Sequence, residues 1–174
     1  MTMTPQCAIA RPVVLQPVQK CRSFERCSAM DPCPSPSRLD DYTIHVTETL
    51  RFADTDRHGH ITNSVFAVCC QTGRLAFLED PARPLAPPGT HFILARLELD
   101  FHAEMHWPGT VDIGTRIGRV GRSSVTLAQA LFQRMRCVAT SRSVVVLTDQ
   151  TTRRVVALPD ELVVILQRLA VPTH

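Results

Sequence analysis

The sequence predicts an α+β fold in which a curled antiparallel sheet of five to six strands wraps around one long central helix. Three observations support this prediction: one alternating segment precedes a long apolar helix, several alternating segments follow it, and their connections are short. Short connections favour antiparallel neighbours, because parallel pairing requires crossovers of a dozen residues or more. A sheet and a helix each bury one apolar face, so packing them together is the economical arrangement.

The first strand is predicted over residues 42–52, which alternate and are rich in β-branched and aromatic side chains. It leads into a segment in which acids, imidazoles and a glycine are concentrated. Gly59 permits a turn there, and Thr62 or Asn63 is expected to cap the helix that follows. The segment reads Arg51-Phe-Ala-Asp-Thr-Asp-Arg-His-Gly-His-Ile-Thr-Asn-Ser-Val-Phe66.

The helix after this segment is so apolar that we predict it to be buried in the middle of surrounding structure. Its apolar residues recur at spacings of three and four, and two phenylalanines widen the stripe until it covers most of the helix. Gly73 costs this helix about 1 kcal/mol relative to alanine, which indicates close packing against a neighbour. The stripe comprises Val65, Phe66, Val68, Cys69, Thr72, Leu75, Ala76 and Phe77.

The second half of the chain is predicted to be mainly strands. A proline-rich loop ends the helix, and four strands then form an antiparallel meander. A last strand and a closing helix, with Pro159 and two acidic residues in its first turn, complete the domain. The predicted strands span residues 92–105, 110–120, 125–134, 137–148 and about 154–157, and the closing helix spans 159–169.

Length and composition fit one folded domain. The chain has 174 residues, of which 44% are apolar and 20% charged, which is typical of a globular protein with a sizeable core. Residues 1–38 are rich in proline and lack apolar periodicity, so we predict a disordered extension, with the folded domain over 39–174. A transit peptide, or translation starting at Met30, is an alternative interpretation of this segment.

Composition also argues against several classes of protein. No apolar run is long enough to span a membrane, and a net charge of +3 without a basic run does not favour nucleic-acid binding. The seven cysteines lack the spacing of a disulfide framework or a zinc site, which favours a reducing, cytoplasmic location. Nearly every basic residue is arginine, which fits either anion recognition or a GC-rich genome.

The element order, the motif Arg51-Phe-x-Asp-Thr-Asp-x-x-Gly-His-x-x-Asn and Arg74 in the following helix resemble the hotdog-fold acyl-CoA thioesterases of the 4-hydroxybenzoyl-CoA thioesterase type. The resemblance covers residues 42–168. It implies hydrolysis of an acyl-CoA thioester, or an acyl carrier protein thioester, to a free carboxylic acid, without a cofactor. It also implies a homodimer or homotetramer with the site between subunits.

The resemblance assigns roles to several residues of the motif. In that family the second aspartate of the Asp-x-Asp pair is the catalytic carboxylate, which is Asp56 here, acting as general base or nucleophile. A backbone N–H at the start of the central helix, here that of Asn63, holds the oxyanion, and some members use the histidine after the glycine, here His60. Many members have a glutamate two turns into the helix, where this sequence has the neutral Gln71.

The segment Gly121-Arg-Ser-Ser124 resembles the part of the family along which the pantetheine and nucleotide arm of CoA passes. Arg122, together with Ser123 and Ser124, is therefore expected to contact CoA, with Arg122 on a phosphate. Alternative arginines for this contact are Arg116, Arg119 and Arg142.

Other interpretations of the same residues remain open. By spacing alone Asp56 is a turn carboxylate, and Asp54 is interpreted mainly as structural. Together with His58 and His60, Asp56 gives at most three mixed ligands, so no metal is expected. Structural roles in hydrogen bonding are also open for His60 and Gln71.

Two other functions remain as alternatives to hydrolysis. A non-catalytic acyl-CoA-binding protein is the main one, because the motif has Gln71 in place of glutamate. A hydratase on the same fold is another, although the motif lacks the Asp-x₄-His spacing that it needs.

Overall fold

The computed structural model describes residues 38–170, so the predicted disordered extension lies outside the described residues except for its last position. Within that range one sheet of five antiparallel strands packs against two helices. No helix of this part of the chain has the length and apolar character needed to cross a membrane. The elements are β1 (Ile44–Thr49), α1 (Asn63–Leu78), β2 (Thr90–Phe101), β3 (Thr110–Val120), β4 (Ser124–Gln133), β5 (Arg136–Asp149) and α2 (Asp160–Leu169).

The strand order across the sheet is β1-β3-β4-β5-β2, so the predicted meander is correct for β3, β4 and β5 but wrong for β2. Strand β2 pairs with β5 at one edge, and β1 pairs with β3 at the other. The connection between β2 and β3 crosses the end of the sheet. It starts against β5, where the Ala103 N–H donates to Val138 O at 3.0 Å, and ends at β1, where the Leu50 N–H donates to Gly109 O at 3.0 Å.

The strand predicted near residues 154–157 is reduced to one bridge, between Thr148 and Val155. Strand β4 begins opposite Val146, so only the last three residues of β5 have a side free for another segment. Val156 N–H donates to Leu147 O at 2.9 Å in this gap. The segment therefore hydrogen-bonds to the end of β5 without forming a strand of its own.

Within residues 38–170 helix α1 is buried on one face, so these residues alone do not provide the burial on most sides that the sequence predicts. Phe66, Cys69 and Cys70 face the sheet and are buried, whereas Val68 is 55% exposed and Leu75 is 39% exposed. The curled sheet covers one side of the helix, and no element in the described part of the chain forms a second layer on the other side.

The polar centre of the helix–sheet contact is built around Gln129 on β4. Its side-chain Nε2 donates to Cys70 O at 2.9 Å and to Thr115 Oγ1 at 3.0 Å, and its Oε1 accepts from Arg74 at 3.3 Å. Burial lowers the pKa of Arg74, and no described residue forms an ion pair with it. These bonds fix α1 at one position along the sheet, which in turn fixes where the helix begins.

Gly73 is the point of closest approach between α1 and the sheet, which confirms the predicted close packing. A β-carbon placed on Gly73 would lie 2.6 Å from Ile113 Cγ2, 2.8 Å from Gln129 Nε2 and 2.8 Å from Thr115 Oγ1. All three contacts are with buried side chains that have little room to move.

We expect Gly73→Ala to lower the free energy of unfolding by about 1–3 kcal/mol through overpacking, measured by urea denaturation. An exposed helical glycine would instead gain about 1 kcal/mol from the same change. Ala76→Gly, at an exposed position of the same helix, is the control for helix propensity. A stabilised Gly73→Ala variant would contradict the packing described above.

Candidate active site

A cleft of about 800 Å³ opens between the start of α1, the β2–β3 connection and the β4–β5 turn. One part of its wall is apolar and the other is polar, a composition typical of sites for small organic ligands. Asp56, His60 and Asn63 line the cleft together, as the motif predicts. Its apolar wall comprises Ile61, Phe66, Phe101, Ala103 and Val138.

Asp56 closes the turn that precedes α1. Its Oδ1 accepts hydrogen bonds from the backbone N–H groups of His58 at 2.7 Å and His60 at 3.2 Å. The Asp56 N–H donates to His60 O at 2.8 Å, and Gly59 completes the turn with a φ of 82° that favours glycine. Among the described residues, Oδ2 accepts no hydrogen bond, so one oxygen orients the carboxylate and the other stays available to a ligand.

The environment of Asp56 favours its ionised form. Desolvation by neighbouring atoms acts to raise the pKa of this exposed carboxyl, but the hydrogen bonds from the His58 and His60 amides and the nearby imidazoles outweigh this effect. The pKa of Asp56 is therefore held below its ordinary value of 3.8. At neutral pH the cleft contains an aspartate carboxylate.

Asp54 has the structural role that its position suggested. Its side chain accepts hydrogen bonds from Arg51, including one from the backbone N–H at 2.8 Å, and this bond is the main reason that the pKa of Asp54 is lowered. Its carbonyl oxygen accepts from both the N–H of Thr62 at 2.9 Å and the Thr62 Oγ1 at 3.0 Å. Asp54 thus ties the end of β1 to the start of α1.

The start of α1 has no side-chain cap. Thr62 occupies the N-cap position as predicted, but its hydroxyl bonds to Asp54 O instead of to the helix. Asn63 is the first helical residue and does not act as a cap either. Its backbone N–H has no partner among the described residues, so the donors and positive dipole end of the helix face the cleft beside Asp56.

Two residues that sequence reasoning missed, Glu104 and His106, lie beside His60. Glu104 Oε2 is 3.4 Å from His60 Nε2 and 3.6 Å from His106 Nε2. The two imidazole rings meet edge to face with their centroids 5.2 Å apart. The sequence signal was the run His-Ala-Glu-Met-His at 102–106, which concentrates titratable groups directly after a strand.

The β2–β3 connection is fixed against the motif by backbone hydrogen bonds. Met105 O accepts the N–H of Ile61 at 2.8 Å, and His60 and His106 form a bridge. The buried side chain of Gln133 binds both backbone groups of His106: its Oε1 accepts the N–H at 2.9 Å and its Nε2 donates to the carbonyl at 2.8 Å. Glu104 and His106 are therefore held at defined positions beside Asp56.

The turn between β4 and β5 forms the outer wall of the cleft. It is a two-residue turn, because Gln133 pairs with Arg136 across it. Arg134 and Met135 both have positive φ, 50° and 65°, which costs a non-glycine residue about 1–2 kcal/mol. Arg134 and Arg136 line the cleft, and neither forms a salt bridge with a described residue.

The structure does not bring the remaining predicted site residues to this cleft within one chain. Gln71 is exposed on α1 and is not part of the cleft wall. Arg122, Ser123 and Ser124 lie at the β3–β4 turn, at the opposite end of β4 from Gln133. Strand β4 is 10 residues long, so this turn is about 30 Å away at roughly 3.3 Å per residue.

No group of three or more His, Cys, Asp or Glu side chains in residues 38–170 is arranged to hold a metal ion. In the cluster beside the cleft, both imidazole Nε2 atoms face the same Glu104 oxygen. They therefore interact with that carboxylate and not with a shared vacant position.

We expect the Asp56 carboxyl to titrate with a midpoint below 3.8, measured by carbon NMR of the folded protein. Because its pKa is lower folded than unfolded, the ionised group stabilises the folded state above the unfolded pKa. That contribution is lost as pH falls through the folded pKa. A midpoint above 3.8 would contradict the hydrogen bonding described for the turn.

Comparison with known proteins supports this description. The PA5185 protein from Pseudomonas aeruginosa strain PAO1 has the same fold at 24% identity, with a TM-score of 0.69 over 79% of this chain and 98% of that one. A predicted thioesterase from Bacillus stearothermophilus is 26% identical, with a TM-score of 0.67 over 75% and 98% of the two chains.

A thioesterase complexed with coenzyme A and Zn from Thermus thermophilus is 25% identical, with a TM-score of 0.65 over 72% of this chain and 98% of that chain. No curated protein matches the sequence significantly. The family described as the thioesterase-like superfamily matches residues 50–166, which span the motif, the cleft and most of α2. The chain therefore belongs to the thioesterase-like superfamily and has its hotdog fold.

Proposed function

We propose that the chain hydrolyses acyl-CoA thioesters to a free carboxylic acid and CoA, with Asp56 as the catalytic carboxylate. One observation carries this proposal: a carboxylate with one oxygen free shares the cleft with the uncapped N-terminus of α1. Thioester hydrolysis needs both a basic or nucleophilic group and donors for the oxygen that becomes negative.

The oxyanion donors would be backbone N–H groups at the start of α1. When the carbonyl carbon is attacked, its oxygen gains negative charge, which the Asn63 N–H and the helix dipole stabilise. One such donor is typically worth about 3 kcal/mol in the transition state. Because these donors belong to backbone, they are already oriented before the substrate arrives.

Asp56 Oδ2 can act in two ways. As a general base it removes a proton from water, which attacks the carbonyl carbon while the carbon–sulfur bond breaks and the thiolate leaves. As a nucleophile it forms a mixed anhydride with the acyl group and releases the thiolate first, after which water cleaves the anhydride. Both routes need an ionised carboxylate, and the lowered pKa of Asp56 provides one.

The His60 side chain would be a hydrogen-bonding partner close to the thioester group of the substrate, as the resemblance implies. Its imidazole lines the cleft and lies 3.4 Å from Glu104, which limits its orientation. We propose it as a site residue together with Asp56 and Asn63.

The comparisons support the substrate class. Membership of the thioesterase-like superfamily supports thioester chemistry, and the name of the Thermus thermophilus protein records coenzyme A. The zinc in that name has no counterpart among the donor groups of residues 38–170. A non-catalytic acyl-CoA-binding protein is the second candidate, because the position expected to provide a second carboxylate is Gln71.

We propose a homodimer or homotetramer, in which Gln71 and Arg122-Ser123-Ser124 would reach a cleft from a partner subunit. Strand β2 is a long sheet edge whose outer side pairs with no other strand of residues 38–170, and it exposes Ile93 and Leu94. Such edges are normally covered or paired. A second copy would cover this edge and the exposed face of α1.

We also propose a cytoplasmic location, which the cysteine pattern of the sequence favours. The boundary of the folded domain at residue 39 stays a prediction.

We expect Asp56→Asn to reduce kcat about 10²- to 10⁴-fold, the usual worth of a general base. The asparagine carbonyl can accept the same two backbone hydrogen bonds, so the turn is retained while the reactive oxygen is replaced. Thiol release from short, long and aromatic acyl-CoA substrates measures the effect. Asp160→Asn, an exposed position on α2, is the control.

Full activity of Asp56→Asn with all substrates would contradict the role of Asp56. CoA-ester binding without turnover by the wild type would favour the binding protein, and Gln71→Glu would then be the first variant to test for activity.

We expect Leu94→Glu to dissociate the oligomer, because a two-fold contact at the β2 edge would place buried like charges close together. Sedimentation velocity and thiol release measure the change, and activity should fall with dissociation. Val164→Glu is the matched control, because Val164 is 44% exposed on α2 and Leu94 is 42% exposed. An unchanged oligomer in Leu94→Glu would contradict this interface.

A further inference from the structure

We propose that the β4–β5 turn is an anion-binding wall of the cleft, and that Arg134 and Arg136 bind an oxyanion carried by the substrate. The oxyanion is either a carboxylate at the far end of the acyl group or a phosphate of the CoA carrier. The identity of the ligand as a thioester rests on the function proposed above. The anion site itself rests on the residues of the turn.

The first support is the charge balance of the cleft. Its acidic groups are Asp56 and Glu104, and Glu104 faces two imidazoles. Arg134 and Arg136 line the same cleft without a salt bridge to any residue of the described part of the chain. Two guanidinium groups at one wall provide the planar, forked donors that carboxylate and phosphate groups match.

The second support is the backbone of the turn. Two-residue hairpin turns of this kind require positive φ at both positions and are normally formed by Asn-Gly or Asp-Gly. Here the positions are Arg134 and Met135, with φ of 50° and 65°. Met135 is 90% exposed, so packing of its side chain does not explain the strain. A strained turn that places an arginine at the cleft is better explained by a ligand contact.

The third support is the rigid link between this turn and the reacting groups. Gln133 pairs with Arg136 across the hairpin, and its side chain binds the backbone of His106 on both sides. His106 in turn bridges to His60, whose backbone closes the Asp56 turn. The backbone that carries the arginines is therefore held at a defined position relative to Asp56, and an anion bound there would favour thioesters whose carbonyl reaches Asp56.

The size and composition of the cleft fit such a ligand. Its volume of about 800 Å³ is within the range of roughly 300–1,000 Å³ for small-molecule sites. The apolar wall that includes Phe66 and Phe101 would contact the uncharged part of an acyl group, while the arginines bind the charged end.

The test uses four thioesters of one acyl length, combining CoA or phosphate-free N-acetylcysteamine with a methyl or a carboxylate end. The enzymes are the full-length wild type, Arg134→Gln, Arg136→Gln, the double variant, and Arg83→Gln as a control for charge loss at an exposed arginine outside the cleft wall. KM and kcat are measured for each combination of enzyme and thioester, and binding of CoA and of a free dicarboxylate is measured by calorimetry.

We expect the double variant to raise KM about tenfold or more for esters that carry the recognised anion, as lost charge-assisted hydrogen bonds predict, with little change in kcat. If the acyl carboxylate is recognised, the loss appears with the carboxylate ester of N-acetylcysteamine. If the carrier phosphate is recognised, it appears with the methyl-ended CoA ester. The methyl-ended ester of N-acetylcysteamine and the Arg83→Gln enzyme should be unaffected.

Equal KM values for wild type and double variant with all four esters would overturn the anion site while leaving hydrolysis intact. If the wild type hydrolyses none of them and none of the short, long and aromatic acyl-CoA substrates used above, the proposed function fails and calorimetry decides on the anion site. Binding of CoA or dicarboxylate that weakens in the double variant would support the site, and binding that is absent or unchanged would overturn it.

Discussion

The two hydrogen bonds that one oxygen of Asp56 accepts are the interaction on which the candidate site depends. They close the turn between β1 and α1, and they leave the second oxygen of a carboxylate that lines the cleft without a hydrogen bond from the described residues. The same turn leads to the start of α1. There the Thr62 hydroxyl donates to the carbonyl oxygen of Asp54, which leaves the first helical N–H groups without a side-chain cap. An oriented carboxylate and a set of free backbone donors thus arise from one short segment, and the helix that follows it packs closely on the sheet at Gly73.

The crossing connection between β2 and β3 provides the rest of the cleft. Because β2 pairs with β5 and β3 pairs with β1, the chain must pass over the end of the sheet at which α1 begins. That path carries Glu104 and His106 to His60, and Gln133 holds it from the neighbouring hairpin. The other end of the sheet contains the β3–β4 turn and packs against α2. In a single chain Asp56 and the start of α1 are therefore separated from the predicted CoA-binding segment.

Features that depend on local sequence were predictable. The alternating pattern predicted both ends of β3 correctly. The motif pointed to Asp56, which lines the cleft, and the glycine inside an apolar helix indicated the close contact at Gly73. Features that depend on a choice between hydrogen-bond partners, or on segments distant in the sequence, were not predictable. The Thr62 hydroxyl could bond to a backbone N–H of α1 as a helix cap or to the Asp54 carbonyl, and it bonds to Asp54 O. The neighbours of β2 are decided by the path of the following connection, so Glu104 and the β4–β5 arginines could not be assigned to the cleft from spacing. The exposed face of α1 has no covering layer among residues 38–170, which the apolar pattern of the helix does not indicate.

The most direct test of the central claim is a crystal structure with a substrate analogue in which a methylene group replaces the thioester sulfur, giving an unreactive ketone. The analogue should bind in the cleft with its carbonyl oxygen within hydrogen-bond distance of the N–H groups at the start of α1, and with its carbonyl carbon next to Asp56 Oδ2 or a water bound to it. Binding at another surface, with no contact between the ketone and the turn that Asp56 closes, would contradict the account.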